Sequence, residues 1–291
     1  MASRLPVMKT WKLFIGGAFP RTESGRSFLV TDKAGNPLAH CCRGSRKDLR
    51  NAVGAARKAA VPWAERSAYN RGQVLYRMAE ILEGKAEEAA SLLAATVPGG
   101  LRRARKEVAE ACDRLICFAG WADKYQQVLG NSNPVAGPYY NFTIPEPTGV
   151  IGVVAPNDEP LLGLVSLMAP PLAAGNVVLA IGSETHPLAT SLFGEVCATS
   201  DVPAGVVNLL CGFRSELCPV LAGHRDIDAI SAVCEQSEER ELLRMGVAEN
   251  VKRVHVLKRS KVDFYDRNQC CSPYWIEPFV EMKTIWHPSA S

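Results

Sequence analysis

Five short apolar runs, at residues 150–154, 176–181, 206–210, 227–231 and 251–257, constrain this chain more than any other feature. Each reads as a strand. The first, Val150-Ile151-Gly152-Val153-Val154, has no polar residue at all, which is the pattern of a strand covered on both faces. Between the runs lie segments with helical character, at 161–173, 187–199, 215–222 and 238–245. Strand and helix alternating through short connections imply an open parallel sheet with helices on both faces and right-handed crossovers. Ligands of such sheets bind at the carboxyl ends of the strands.

The first half of the chain reads differently. Residues 11–15, followed by Gly16-Gly17, and residues 26–31, ended by the turn-forming 32–37, suggest two strands of a β-meander. Ser45, with Asp48 three residues on, marks a helix start before Leu49, Ala52, Val53 and Ala56. Pro62-Trp63 is expected to interrupt that helix. Two longer helices are expected at 69–95 and 101–129, separated by Pro98-Gly99-Gly100. The basic run Arg102-Arg103-Ala104-Arg105-Lys106 reads as a solvated first turn. After the last strand of the α/β series the chain turns polar at 263–273. Residues 274–276 and 279–286 look extended, and the second stretch alternates like an edge or exchanged strand.

Composition narrows the class. In 291 residues, 33 Lys+Arg face 30 Asp+Glu, so a net charge of +3 gives no electrostatic case for nucleic-acid binding. Residues 161–174 are the longest apolar stretch, too short for a membrane span and interrupted by Pro170 and Pro171. Arg4, Lys9 and Lys12 break any signal-like run at the N-terminus, so a cytoplasmic location is expected. The ten cysteines form no C-x-x-C pair and lie near no histidine cluster. They are expected to be reduced, mostly buried, and not to hold a metal.

Three blocks carry a family resemblance. Glu146-Pro147-Thr148-Gly149-Val150-Ile151-Gly152-Val153-Val154-Ala155-Pro156 resembles the aldehyde dehydrogenase superfamily. So do Pro171-Leu172-Ala173-Ala174-Gly175-Asn176-Val177-Val178 and Pro203-Ala204-Gly205-Val206-Val207-Asn208-Leu209-Leu210-Cys211-Gly212. Phe14-Ile15-Gly16-Gly17 and Phe279-Val280-Glu281-Met282-Lys283-Thr284-Ile285 are similar to the family's opening and closing strands. Within the family, Ile15-Gly16-Gly17-Ala18-Phe19-Pro20-Arg21-Thr22-Glu23-Ser24-Gly25-Arg26 and Lys283-Thr284-Ile285-Trp286-His287-Pro288 resemble the divergent second unit of family 16 aldehyde dehydrogenases and short stand-alone bacterial relatives. The resemblance implies a nucleotide-binding α/β domain, a catalytic domain with a cysteine nucleophile, and a small β-rich element that pairs subunits. It also implies NAD or NADP as cofactor for active members, whereas the divergent units lack the catalytic machinery and act structurally.

Carried over residue by residue, the family's site is depleted. Asp158 stands where an asparagine donates to the oxyanion; an ionised carboxylate only accepts. Asn157 lies one position away. Ala180 replaces a ribose-binding lysine and Ser183 the glutamate that follows, with Glu184 adjacent; Asn157 and Glu184 are the remaining cofactor-binding candidates. The turn 232–239 lacks the glycine that admits a pyrophosphate and carries three carboxylates instead. An acidic helix N-terminus fits these residues better. Leu257 occupies the general base's place, with His255 on the same face of the strand. Cys271 follows Asn268-Gln269-Cys270, but the closing strand begins within eight residues of it. It is read as a loop cysteine, and the catalytic domain as absent.

The expected fold is therefore α/β and aldehyde-dehydrogenase-like: an open, Rossmann-like parallel sheet plus a β-rich oligomerisation element from both chain ends. The expected division is an N-terminal bridging segment at 1–44, helices at 45–130, a bridging strand at 131–147, the parallel α/β unit at 148–262 and an extended tail at 263–291. Val280, Met282, Thr284 and Trp286 are expected to pair subunits, as a homodimer or with a longer aldehyde dehydrogenase. The expected role is a non-catalytic scaffold or regulatory subunit. The alternatives are an NAD(P)-dependent aldehyde dehydrogenase and a nucleotide sensor without chemistry.

Overall fold

A computed structural model describes residues 7–248 and 250–289. Its first three strands, β1 (Thr10–Trp11), β2 (Ser27–Thr31) and β3 (Pro37–Cys42), form a small sheet in the order β1-β3-β2. The β2–β3 hairpin turns where Asp32 Oδ1 accepts the N–H groups of Ala34 and Asn36, both at 2.8 Å. β1 runs parallel to β3, so the opening is not the meander expected from the sequence. Nor does one strand span 11–15. Phe14 leaves β1 to exchange backbone hydrogen bonds with Leu209 at 3.0 and 2.7 Å. The N-terminal sheet thereby abuts the central sheet. It shares no strand with the C-terminal one, contrary to the bridging role expected for residues 1–44.

Five helices follow: α1 (Arg46–Ala64), α2 (Ala68–Gly84), α3 (Ala86–Thr96), α4 (Gly100–Trp121) and α5 (Tyr125–Leu129). α1 opens with a reciprocal capping box. Asp48 N donates to Ser45 Oγ at 3.2 Å, and Ser45 N donates to Asp48 Oδ2 at 2.8 Å. The buried Asp48 carboxylate also accepts Thr22 Oγ1 at 2.6 Å, tying the preceding loop to the helix. Pro62 does not end α1. It sits in the last turn, and Trp63 is buried with Nε1 donating to Leu172 O at 3.2 Å. The helix expected over 69–95 is two helices, because Gly84 weakens it and Lys85 leaves the α conformation. The helix expected to reach 129 likewise breaks between Trp121 and Tyr125. The basic run is not simply solvated. Arg105 forks onto Glu87 at 3.0 and 2.8 Å, Arg103 reaches Asp158 O at 3.2 Å, and Lys106 lies over the Tyr265 ring.

β4 (Asn131–Asn133) and β5 (Tyr139–Pro147) precede the α/β alternation: β6 (Val150–Val154), α6 (Leu162–Ala173), β7 (Val177–Ile181), α7 (Pro187–Ala198), β8 (Val207–Leu210), α8 (Arg214–Gly223), β9 (Ala229–Cys234), α9 (Ser237–Ala248) and β10 (Arg253–Lys258). The five strands are parallel, in the order β10-β9-β6-β7-β8. Every residue of β6 to β9 is buried, as continuous apolar runs require. The chain winds outward from β6 to β8, then crosses back to β9 on the other side of β6. The reversal makes β6 and β9 the switch point, where such sheets hold their ligands.

Beyond β10 the chain does not run extended through 274–276. Ser272 Oγ accepts Tyr274 N, Pro273 presets the first turn, and short helical turns follow at α10 (Arg267–Cys270), Pro273–Trp275 and Glu277–Phe279. The last strand, β11 (Val280–Pro288), pairs antiparallel with β5 from Val280↔Pro147 to Pro288↔Tyr139, giving the sheet order β11-β5-β4. Buried Asn176 joins this sheet to the central one. Its Oδ1 accepts Gly149 N at 2.8 Å, and its Nδ2 donates to Phe279 O at 2.9 Å and Pro171 O at 3.1 Å. Asn176→Ala removes the partner of the half-buried Gly149 N–H and a buried amide that bonds two carbonyls. The expected cost is about 2–4 kcal/mol, read as a lower urea midpoint with an unchanged slope.

Candidate functional site

At the carboxyl ends of β6, β7 and β9 a cleft of about 520 Å³ opens, lined by Pro156, Asn157, Glu184, Arg214, Glu235 and Glu239 among others. The loops after β6 and β7 meet there through the Asn157 side chain. Asn157 Oδ1 accepts Ser183 Oγ at 3.0 Å and Glu184 N at 3.1 Å. Glu184 Oε2 in turn accepts Arg214 N at 2.7 Å, closing the N-terminus of α8. Both cofactor-binding candidates therefore lie in one cleft, and both bind neighbouring protein groups.

Arg214 was not singled out from the sequence. Its guanidinium lies across the cleft, donating to Ala155 O at the end of β6 and to Glu239 Oε1 at 3.3 Å in the first turn of α9. Both side chains are largely buried. Cation and carboxylate thus neutralise each other between β6 and β9. The acidic turn leads into a helix N-terminus, and one of its carboxylates, Glu239, is paired from α8.

Beside this cleft, the loop 156–160 is held by a second cation. Arg259, directly after β10, donates through Nε to Asp158 Oδ2 at 2.6 Å and through a terminal nitrogen to Glu159. Arg103 adds a longer contact to Glu159 at 3.4 Å. Asp158, the residue expected at the oxyanion donor's place, is an acceptor fixed by an arginine. Its neighbour Glu159 is buried, and burial followed by the nearby Asp158 charge raises its carboxyl. Arg259 occupies a position where the family's strand motif has glycine. The lost glycines were visible in sequence; the long-range pairing was not.

The other candidates lie apart. Leu257 and His255 share one face of β10, with partners Val233 and Ser231. The rings of Trp275 and Phe279 stand edge-on to His255 at 6.0 and 5.9 Å, and burial lowers its titration. Cys271 lies against α4, outside the cleft lining, with its carbonyl accepting Trp121 Nε1 at 3.0 Å. Among the described residues no group of His, Cys, Asp and Glu is arranged to hold a metal ion, and no helix is long and apolar enough to cross a membrane.

A doubly wound parallel sheet with its cleft at the switch point defines a dinucleotide-binding type of α/β domain. Comparison with known proteins narrows this. A model of the aldehyde dehydrogenase family matches residues 21–261, and the chain belongs to that family. It is 32% identical over 286 residues to aldehyde dehydrogenase family 2 member B4, mitochondrial, of Arabidopsis thaliana, covering 89% of this chain and 52% of that protein. It is 33% identical over 235 residues to hydroxyisobutyraldehyde dehydrogenase of Mycolicibacterium austroafricanum, covering 80% and 46%. The NAD+ complex of the Bacillus cereus aldehyde dehydrogenase superposes with a TM-score of 0.81 at 28% identity, over 86% of this chain and 51% of that one. The chain spans about half the length of the relatives it matches.

One further titratable group is built into the site's support. Glu107 of α4 is buried, and its Oε1 accepts Leu161 N at 2.9 Å and Leu162 N at 3.2 Å at the start of α6. Burial outweighs those bonds and raises its carboxyl from 4.5 to about 7. The folded chain therefore keeps a proton that the unfolded chain releases near 4.5, so stability falls as pH rises from there to about 7. Glu107→Gln keeps the acceptor without the charge. It is expected to flatten the decline from about pH 5 to about pH 7.5 by roughly 1–3 kcal/mol in urea titrations. An identical decline in the variant would show that Glu107 is ionised throughout.

Proposed function

We propose that this chain is a non-catalytic member of the aldehyde dehydrogenase family that acts as a scaffold or regulatory subunit, pairing through its C-terminal strand. The observation that carries this reading is the Arg259–Asp158 ion pair at 2.6 Å. Oxidation of an aldehyde by a thiol needs a hydrogen-bond donor at the developing oxyanion, a base and an activated nucleophile. The donor's position holds a carboxylate bound to arginine. Leu257 holds the base's position, and Cys271 lies outside the cleft.

NAD or NADP does not fit the same cleft. A pyrophosphate would meet Glu235, Glu238 and Glu239, and like charge opposes it. Arg214, the cation best placed to compensate, is already bound to Glu239 and Ala155 O. Neither activity nor a sensor role finds support in that arrangement.

Pairing is supported by the terminal sheet. β11 is its outermost strand, so one edge of nine residues has no partner among the described residues. Met282 and Trp286 are exposed on it, Trp286 packs edge-on against Tyr139 at 5.8 Å, and Thr284 Oγ1 meets Thr143 Oγ1 at 2.9 Å. With Val280 they form one face. Such an edge fits a second copy of the chain or a longer family member in the same way.

The test has two arms. Pure protein mixed with aldehydes and NAD or NADP should form no reduced cofactor, and its tryptophan fluorescence should stay flat into millimolar cofactor. Reduced cofactor that appears with aldehyde and vanishes in Cys271→Ala would overturn the non-catalytic reading; a saturable fluorescence change without turnover would favour the sensor. Deleting residues 280–291 should lower the sedimentation coefficient from dimer to monomer, and no change would refute pairing through β11.

A further inference from the structure

Two pairs of thiols meet in this fold. Cys41 and Cys211 approach Ser191 Oγ at 3.9 and 3.6 Å, and both are closed off from solvent. Cys117 of α4 and Cys271, just past α10, are both only half-buried. Cys117 Sγ donates to Cys271 O at 3.4 Å, which brings the two residues into contact. Trp121 Nε1 fixes the same carbonyl at 3.0 Å, so the Cys271 backbone is held against α4 beside Cys117.

Two arginines stand near this pair. Arg114, from α4, and Arg267, from α10, both act on Cys271. Arg114 is held in place by Ser166 Oγ at 2.8 Å and Phe264 O at 2.7 Å, and Arg267 by Glu110 and Asp113. Adjacent Cys270 is turned inward and fully buried, its Sγ donating to Asp263 O at 3.3 Å.

We propose that Cys117 and Cys271 form an oxidant-responsive dithiol that closes a disulfide between α4 and the C-terminal tail. Cys271 is the attacking group. The neighbouring Cys117 thiol, against the opposing effect of burial and with help from Arg114 and Arg267, brings it down to about 6. Cys117 is shifted the other way and stays a thiol. With a hydroperoxide as oxidant, the Cys271 thiolate attacks one peroxide oxygen, the O–O bond breaks and hydroxide leaves, giving a sulfenic acid. The Cys117 sulfur then attacks the Cys271 sulfur, the S–O bond breaks, the S–S bond forms and water leaves. Two thiols are oxidised and one hydrogen peroxide is reduced to two waters. The bond joins residues 154 apart and ties the tail that carries β11 to the helical half of the fold.

The experiment is peptide mass mapping of the full chain after hydrogen peroxide, with and without reductant. The expected product is a reductant-sensitive Cys117–Cys271 peptide pair, formed while Cys41 and Cys211 remain reduced. In Cys117→Ser the sulfenic acid cannot be resolved. A dimedone adduct should then appear at Cys271 at least about tenfold faster than at the remaining cysteines. Oxidised wild-type protein should also resist proteolysis within 263–279 by on the order of tenfold, reversed by reductant. A Cys270–Cys271 or Cys41–Cys211 bond formed first, or no cross-link at all, would overturn the dithiol. A cross-link without protection of 263–279 would overturn its role in holding the tail.

Discussion

The entry to β6 organises the rest of the molecule. Gly149 has a φ of +133°, and a Cβ there would fall 2.2 Å from Asp228 Oδ2. The chain can pass only as glycine, and two side chains hold it as it passes. Asn176 accepts the Gly149 N–H from one side, and Asp228 accepts the Val150 N–H at 2.7 Å from the other. Asp228 is in turn neutralised by Arg57 of α1 at 2.9 Å. The starts of β6, β7 and β9, the helix α1 and the root of β11 are thereby fixed by two polar groups. Unpaired buried polar groups are costly, so each partner constrains the others more sharply than apolar packing alone would.

The depleted site is not a loosened one. Several of the acidic groups around the cleft are paired with arginines. Arg259 accompanies Asp158 and Glu159; Arg214 accompanies Glu239. An unmatched charge at such half-buried positions would cost several kcal/mol, while a matched pair with good geometry is close to neutral. Asp158, Glu159 and Arg259 form one linked arrangement: the carboxylates of loop 156–160 are held by the cation that directly follows β10. This arrangement favours a rigid cleft mouth over an open one.

Much of the fold was legible in the residues because the signals are local. The apolar run 150–154, the Ser45–Asp48 capping box and the hairpin turn at 32–37 each specify their element within a few positions. What escaped is non-local or marginal. β1 runs parallel to β3, and Phe14 leaves it for Leu209, a partner far along the chain. The break at Lys85 depends on a single weak position, Gly84. In the site, Asn157 and Glu184 were legible as neighbours of one cleft, because each follows a strand of the parallel sheet. The compensating Arg259, 101 residues from Asp158, and Arg214, 25 from Glu239, were not, because no periodicity links them. The tail's short helical turns follow from Ser272 and Pro273, which resemble the start of an extended segment as readily.

The pairing of β5 with β11 has a consequence for how the chain folds. Thr143 and Thr284 face each other across 141 residues. During synthesis β5 emerges long before the strand that covers its edge, and the entire α/β unit must be made in between. Non-local pairing of this kind delays closure and leaves an uncapped strand exposed to other chains. The polar clusters at Asn133, Asn141 and Thr143, with Asn133 Nδ2 bonded to Asn141 Oδ1 at 2.6 Å and Thr143 Oγ1 at 2.9 Å, give β5 a partner in β4 within its own neighbourhood. That short strand protects one edge from the outset. The other edge stays open until β11 has been made, so β11 is the strand that completes this sheet.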